Sequence, residues 1–110
     1  MAVRILTWLL ALLFVVAGVP KLLGLGSIAA DFARMGYSTG FRLLIGALEF
    51  AGGLALLVDS VALYGAGLLL VIMVGATWTL VTVGESPVPP IVVGTLLMIL
   101  VAARARSSSR

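Results

Sequence analysis

Apolar positions in this chain do not alternate with polar ones; they gather into four continuous runs, Ile5 to Leu25, Phe41 to Val58, Val61 to Val83 and Pro89 to Ala103. Crossing a hydrocarbon core ~30 Å thick takes ~20 helical residues. The third run reaches that length readily. The first does so by including Pro20 and Lys21, and the second and fourth are shorter. Pro89 and Pro90 lengthen the fourth, because a first helical turn needs no N–H there; a re-entrant segment is its alternative. The pattern predicts an all-α polytopic membrane protein, a four-transmembrane-helix bundle. It forms a single membrane domain over residues 1–103 with spans of about 5–25, 41–58, 61–83 and 89–103, and a basic, Ser-rich tail at 104–110 that is expected to be disordered.

Only one connection is long. Between Gly26 and Gly40, Ser27 is positioned to cap a short helix whose Ile28, Phe32 and Met35 share a face, while Asp31 and Arg34 point elsewhere. Gly36 ends that helix and Gly40 reopens the chain for the second span. Packing at the membrane interface is expected of this helix. Covering the mouth of a cavity is the alternative. The connection from Gly84 to Pro89 is rich in breakers, and Glu85 is expected to be solvated within it.

Composition fits a bilayer. The 110 residues are 63% hydrophobic and 10% charged, against about 25% charged in soluble domains; the mean hydropathy is +1.31. The net charge of +3 comes from Arg residues that flank the runs. Contact with anionic lipid headgroups accounts for them, and no nucleic-acid partner is expected. With four spans, Arg4, Arg104, Arg106 and Arg110 share one side, and Arg34, Arg42 and a snorkelling Lys21 the other. The termini are therefore expected to be cytoplasmic, in the cell membrane. Trp8, Phe41, Tyr64 and Trp78 stand towards span ends, where an aromatic belt lies. Apolar character continuing past Lys21 makes the first run too long for a signal-peptide core of about 7–15 residues.

The chain has no Cys and no His. Disulfide exchange, iron–sulfur ligation, zinc sites and His-ligated haem are thereby excluded for this chain alone, and no metal site is expected. No intrinsic cofactor and no catalytic residue can be assigned, and the chain reads as more an accessory than an enzyme on its own. Met73 and Met98 read as packing residues.

Two ionisable residues inside apolar runs carry the chemistry. A charge at bilayer depth costs roughly 2.5–3.5 kcal/mol on insertion scales, so it turns to a partner helix, an opposite charge or a wet cavity. Lys21 lies ~24 Å along the first helix, about 6 Å from the far end of the core, and Glu49 lies ~12 Å below that same end, so their depths differ by roughly one extended Lys side chain. Three fates for Glu49 follow: pairing with Lys21, staying protonated as a hydrogen-bond donor, or lining a polar cavity. Pro20 withholds an N–H from its helix and frees carbonyls near Val16. Gly46, Gly52 and Gly53 leave the helix bare around Glu49, so another helix can approach it closely. Arg4 and Trp78 are further supporting candidates. Thr77, Thr79 and Thr82 would extend the site, although helix–helix contacts explain them as well.

The order of these residues resembles a known family. Arg4, then Ala17-Gly18-Val19-Pro20-Lys21-Leu22, then Phe32 to Gly36, then Gly46-Ala47-Leu48-Glu49 followed by Gly52-Gly53, looks like the DoxX-like family of small four-helix integral membrane proteins. The specific match covers the first half; the second half agrees in having two more spans. The resemblance implies a membrane subunit associated with a redox or quinone-linked complex, and it maps the family's recurrent Arg, Lys and Glu onto Arg4, Lys21 and Glu49.

The reading that follows is an accessory or anchoring subunit with a polar ligand site at Lys21 and Glu49, between the first two spans. Quinone or lipid is the ligand expected there; membrane lipids and either a protein partner or a second copy of the chain are the expected partners. One alternative is a small proton-coupled transporter working through Glu49. The chain is similar in size and span number to the small multidrug resistance family, but departs from it in carrying a Lys in the first helix. A membrane assembly factor is the other alternative.

Overall fold

The computed structural model describes residues 2–108, and those residues form five helices with no strand among them. They are α1 (Ala2–Leu23), α2 (Ile28–Arg34), α3 (Thr39–Ala55), α4 (Ala62–Thr82) and α5 (Val88–Ser108). By length and composition, α1, α4 and the Val88–Arg106 part of α5 are able to cross a membrane. The run over 41–58 yields only the 17 residues of α3, ~26 Å of helix. Length and composition thus support three crossings, and the four-span count is not established by them.

Local chemistry sets the ends of these helices. α1 continues through Pro20 and stops where Gly24 turns left-handed at φ 66°. The Leu25 N–H then donates to the Pro20 carbonyl at 3.0 Å, closing a Schellman-type cap. α2 ends in the same way at Gly36, with Tyr37 N–H donating to Phe32 O at 2.9 Å. Ser27 does not cap α2 through its side chain; its hydroxyl donates to Asp31 Oδ2 at 3.2 Å. The start of α3 is set by Ser38, whose Oγ accepts from Phe41 N–H at 3.1 Å, so Gly40 lies inside the helix. At its other end, Leu57 and Val58 donate back three residues, to Leu54 and Ala55, and the helix tightens to a stop. α5 begins with Pro89 and Pro90 in its first turn, as expected, and runs on past Ala103. Residues 104–108 of the expected tail are therefore helical, and Arg110 lies outside the described residues.

The four long helices run alternately up and down. α3 makes its widest contact with α1, α4 packs on both α3 and α5, and α5 returns to α1. Phe14, Leu10, Leu56, Leu69, Leu97 and Leu100 are fully buried between them. Outside, Tyr64, Val71, Val74 and Trp78 are largely exposed, an apolar exterior that only lipid satisfies. Small residues let the backbones close. A Cβ added at Gly18 would stand 2.7 Å from the Gly46 carbonyl oxygen, and one at Gly53 3.0 Å from that of Ala11. Gly52 sits under Leu69, and Gly65 against Ala55.

One end of the bundle is clamped by Arg104. Its guanidinium donates to Leu56 O at 3.3 Å and to Thr7 Oγ1 at 3.4 Å, and lies 3.5 Å from Asp59 Oδ1. The end of α5, the start of α1 and the α3–α4 turn are thereby held together. These contacts explain why the helix outlasts the apolar run.

Candidate functional site

At the opposite end of the bundle, the last turn of α1 meets the middle of α3. Gly46 makes this possible, because a Cβ there would come within 2.8 Å of Lys21 Cβ. Lys21 Nζ lies 2.7 Å from Glu49 Oε1, in a carboxylate that is only 3% exposed. The ammonium also donates to Ala17 O at 3.4 Å. Lys21 thus turns inward to Glu49, and the carbonyl it meets is that of Ala17, next to Val16. The ion-pair distance is that of a charge-assisted contact, and it leaves Oε1 enclosed against the ammonium.

Arg42 steadies the same turn. Its Nη1 donates to Lys21 O at 3.0 Å, reaching past Gly24, where any Cβ would strike the guanidinium. An Arg beside an open helix C-terminus satisfies a carbonyl that the helix leaves free. Read in sequence as a topology-setting charge, Arg42 also has this capping role, and only its place opposite the α1 end reveals it.

Beside the ion pair lies a pocket of about 550 Å³ with an almost wholly apolar wall. α1 contributes Phe14 and Lys21, α3 Ile45 and Glu49, and α4 Ile72 and Met73. The segment around α2 adds Phe32, Met35 and Tyr37 to its lining, so the short helix borders the cavity. Tyr37 stacks on Phe41 with centroids 4.5 Å apart, and its hydroxyl is hydrogen-bonded to Thr79 Oγ1. Arg34 forms an ion pair with Glu85, which is therefore only half exposed and not simply solvated. Tyr37 had no distinguishing signal in the sequence beyond following the Gly36 breaker.

The remaining candidates divide by position. Gly46 touches Lys21 directly, whereas Gly52 and Gly53 seat α3 against α4 and α1. Pro20 precedes Lys21 in the last turn of α1. Trp78 is 71% exposed on the outer face and does not line the pocket. Arg4 stands at the far end of α1, ~25 Å away along the axis. It borders a separate outward groove with Trp8, Leu54 and Leu57. Among the described residues, no cluster of three or more acidic, His or Cys side chains is arranged to hold a metal.

Searches of the curated proteins and of the solved structures return no match to this chain. A family model does match, over residues 5–103. That match covers nearly the whole chain, including α3 with its paired Glu49, so this multi-pass membrane helix bundle belongs to the DoxX-like family.

Proposed function

We propose that this chain is an accessory or anchoring subunit of a complex in the cell membrane, and that the pocket beside Lys21 and Glu49 holds a quinone-like or lipidic ligand. The observation that carries the reading is a buried ion pair in the wall of an otherwise apolar pocket. Stability alone does not account for such a pair, since replacing one with packed apolar residues is often neutral or stabilising. An amphiphile with an apolar body and a polar group fits that wall.

The proposal includes a fourth crossing by α3 and cytoplasmic termini. Support for the crossing is that Arg104 joins the start of α1 to the turn after α3, while Arg42 joins the start of α3 to the end of α1. α3 thus extends between the same two ends as α1. With Lys21 engaged by Glu49 and not snorkelling, the positive-charge balance favours the end that carries Arg4, Arg104 and Arg106 as the cytoplasmic one. The ion pair also favours a subunit over a proton-coupled transporter, because the ammonium occupies the place a cationic cargo would take.

Native mass spectrometry of the complex, extracted gently from its own membranes, tests the proposal. The wild-type chain should carry an apolar small molecule together with a protein partner, and Lys21→Met and Glu49→Gln should lose the small molecule. A ligand retained unchanged by both variants would remove the assigned site, and a bare homo-oligomer would remove the subunit role.

A further inference from the structure

Charge alone draws basic side chains to a membrane interface, but most of those in this fold are already engaged. Lys21 is held by Glu49, Arg34 by Glu85, Arg42 by the Lys21 carbonyl, and Arg104 by Leu56 O and Asp59. Arg4 makes no hydrogen bond or ion pair with any described residue. Trp8, 59% exposed, likewise leaves its indole N–H without a partner among the described residues. Standing four residues apart, the two share one stripe of α1, ~6 Å from each other along its axis.

That stripe continues into the outward groove. Arg4, Trp8, Ala11 and Val15 follow at intervals of three and four along α1, and Leu54 of α3 and Leu57 just beyond it form the facing wall. The groove has a volume of about 710 Å³ and an almost wholly apolar wall. From Arg4 to Val15 it runs ~17 Å along the helix, close to the ~15 Å that one leaflet contributes to the hydrocarbon core. A cation at the mouth, an N–H donor one turn deeper and an apolar trough one leaflet long correspond, in that order, to the phosphate, ester carbonyl and acyl chain of a phospholipid.

We infer that this groove holds a phospholipid of net negative charge, its phosphate on Arg4 and an acyl chain between α1 and Leu54. The charge preference follows from the surroundings. Asp59 is the one acidic side chain described at this end, and it is paired with Arg104. The ammonium of a zwitterionic headgroup therefore meets no open anion there, and its charge offsets what the phosphate gains on Arg4. A second copy of the chain suits the groove less well: two copies inserted alike and packed groove to groove would bring their Arg4 side chains to one depth, like charge beside like. This site is separate from the pocket at Lys21 and does not depend on what that pocket takes.

Native mass spectrometry of the delipidated full chain in detergent provides the test, with dipalmitoyl phosphatidylglycerol and dipalmitoyl phosphatidylcholine as probes. The two share their acyl chains and differ in net charge. The wild type is expected to bind the anionic lipid about fivefold more tightly, the size of one Arg at an anionic membrane surface. Arg4→Gln should remove that preference and leave binding of the zwitterionic lipid unchanged. Arg106→Gln, at the same end but outside the groove, should keep it, and Leu57→Trp, which fills the groove, should weaken both lipids. Equal affinity of the wild type for the two lipids, or binding of neither, would overturn the inference, and that comparison needs no variant to fold. An equal loss of preference in Arg4→Gln and Arg106→Gln would reduce it to the general charge of this end and overturn the site. A lipid-free dimer split by Leu57→Trp would overturn it in favour of a second copy.

Discussion

At Gly46, an added methyl would meet Lys21 Cβ at 2.8 Å and the Gly18 carbonyl oxygen at 3.1 Å. Neither is the free end of a flexible side chain, so the helices themselves must part. Gly46→Ala is expected to destabilise the bundle by about 1–3 kcal/mol, as overpacking does in other cores, and to displace the ammonium from Glu49. Thermal unfolding in detergent reads this, with Gly67→Ala, which meets nothing within 4 Å, as the unaffected control. Lys21 and Glu49 were legible in the sequence because two charges within apolar runs stand out whatever the fold, whereas their pairing was one of three fates that only the packing of α1 on α3 decides. Tyr37 and Thr79 were not legible as a pair, since their 42-residue separation is closed only where the link between α2 and α3 reaches α4. Arg42 shows the same limit: sequence gives its charge, and the fold gives the carbonyl it caps.

Among the elements, α2 is held least by burial. None of its residues is fully buried, and left-handed glycines lie on either side at Gly26 and Gly36. What ties it down is the Arg34–Glu85 ion pair and, just beyond its end, the Tyr37–Thr79 hydrogen bond. An exposed ion pair contributes about 0–1 kcal/mol. Arg34→Gln should accordingly leave the melting temperature nearly unchanged while raising hydrogen exchange across 28–36, and Tyr37→Phe should raise it further. Exchange confined to baseline in both variants would mean that apolar contacts alone hold the helix. The sequence foretold the existence of α2, its Gly36 stop and its apolar face. It did not reveal what that face borders, because a pocket requires Phe14, Glu49 and Met73 from three other helices.

For the whole molecule, the testable feature is which turns share a side of the membrane. The chain lacks Cys, so single replacements report without background. If α3 crosses and the termini are cytoplasmic, Ser86→Cys is labelled in intact cells by an impermeant maleimide, and Ser60→Cys only after lysis. The pattern reverses if α3 does not cross or if the four-span bundle is inserted with its termini outside. The apolar runs predict four spans, and three of the helices are long and apolar enough to cross, among them α5, whose run alone was short. The shorter α3 is harder to classify because Ser38 and the turn beyond Ala55 fix its length, and Arg42 and Glu49 lower its hydropathy.

The Lys21–Glu49 pair also bears on how the chain is made. Lys21 precedes Glu49 in the chain, and an ammonium held in lipid without its counter-charge is unfavourable by several kcal/mol. The intramembrane threonines have no such dependence, since Thr77, Thr79 and Thr95 each donate to a carbonyl four residues back on their own helix. If α3 crosses as proposed, α1 and α3 are expected to settle in the membrane as a matched pair, the ammonium being neutralised when α3 joins it.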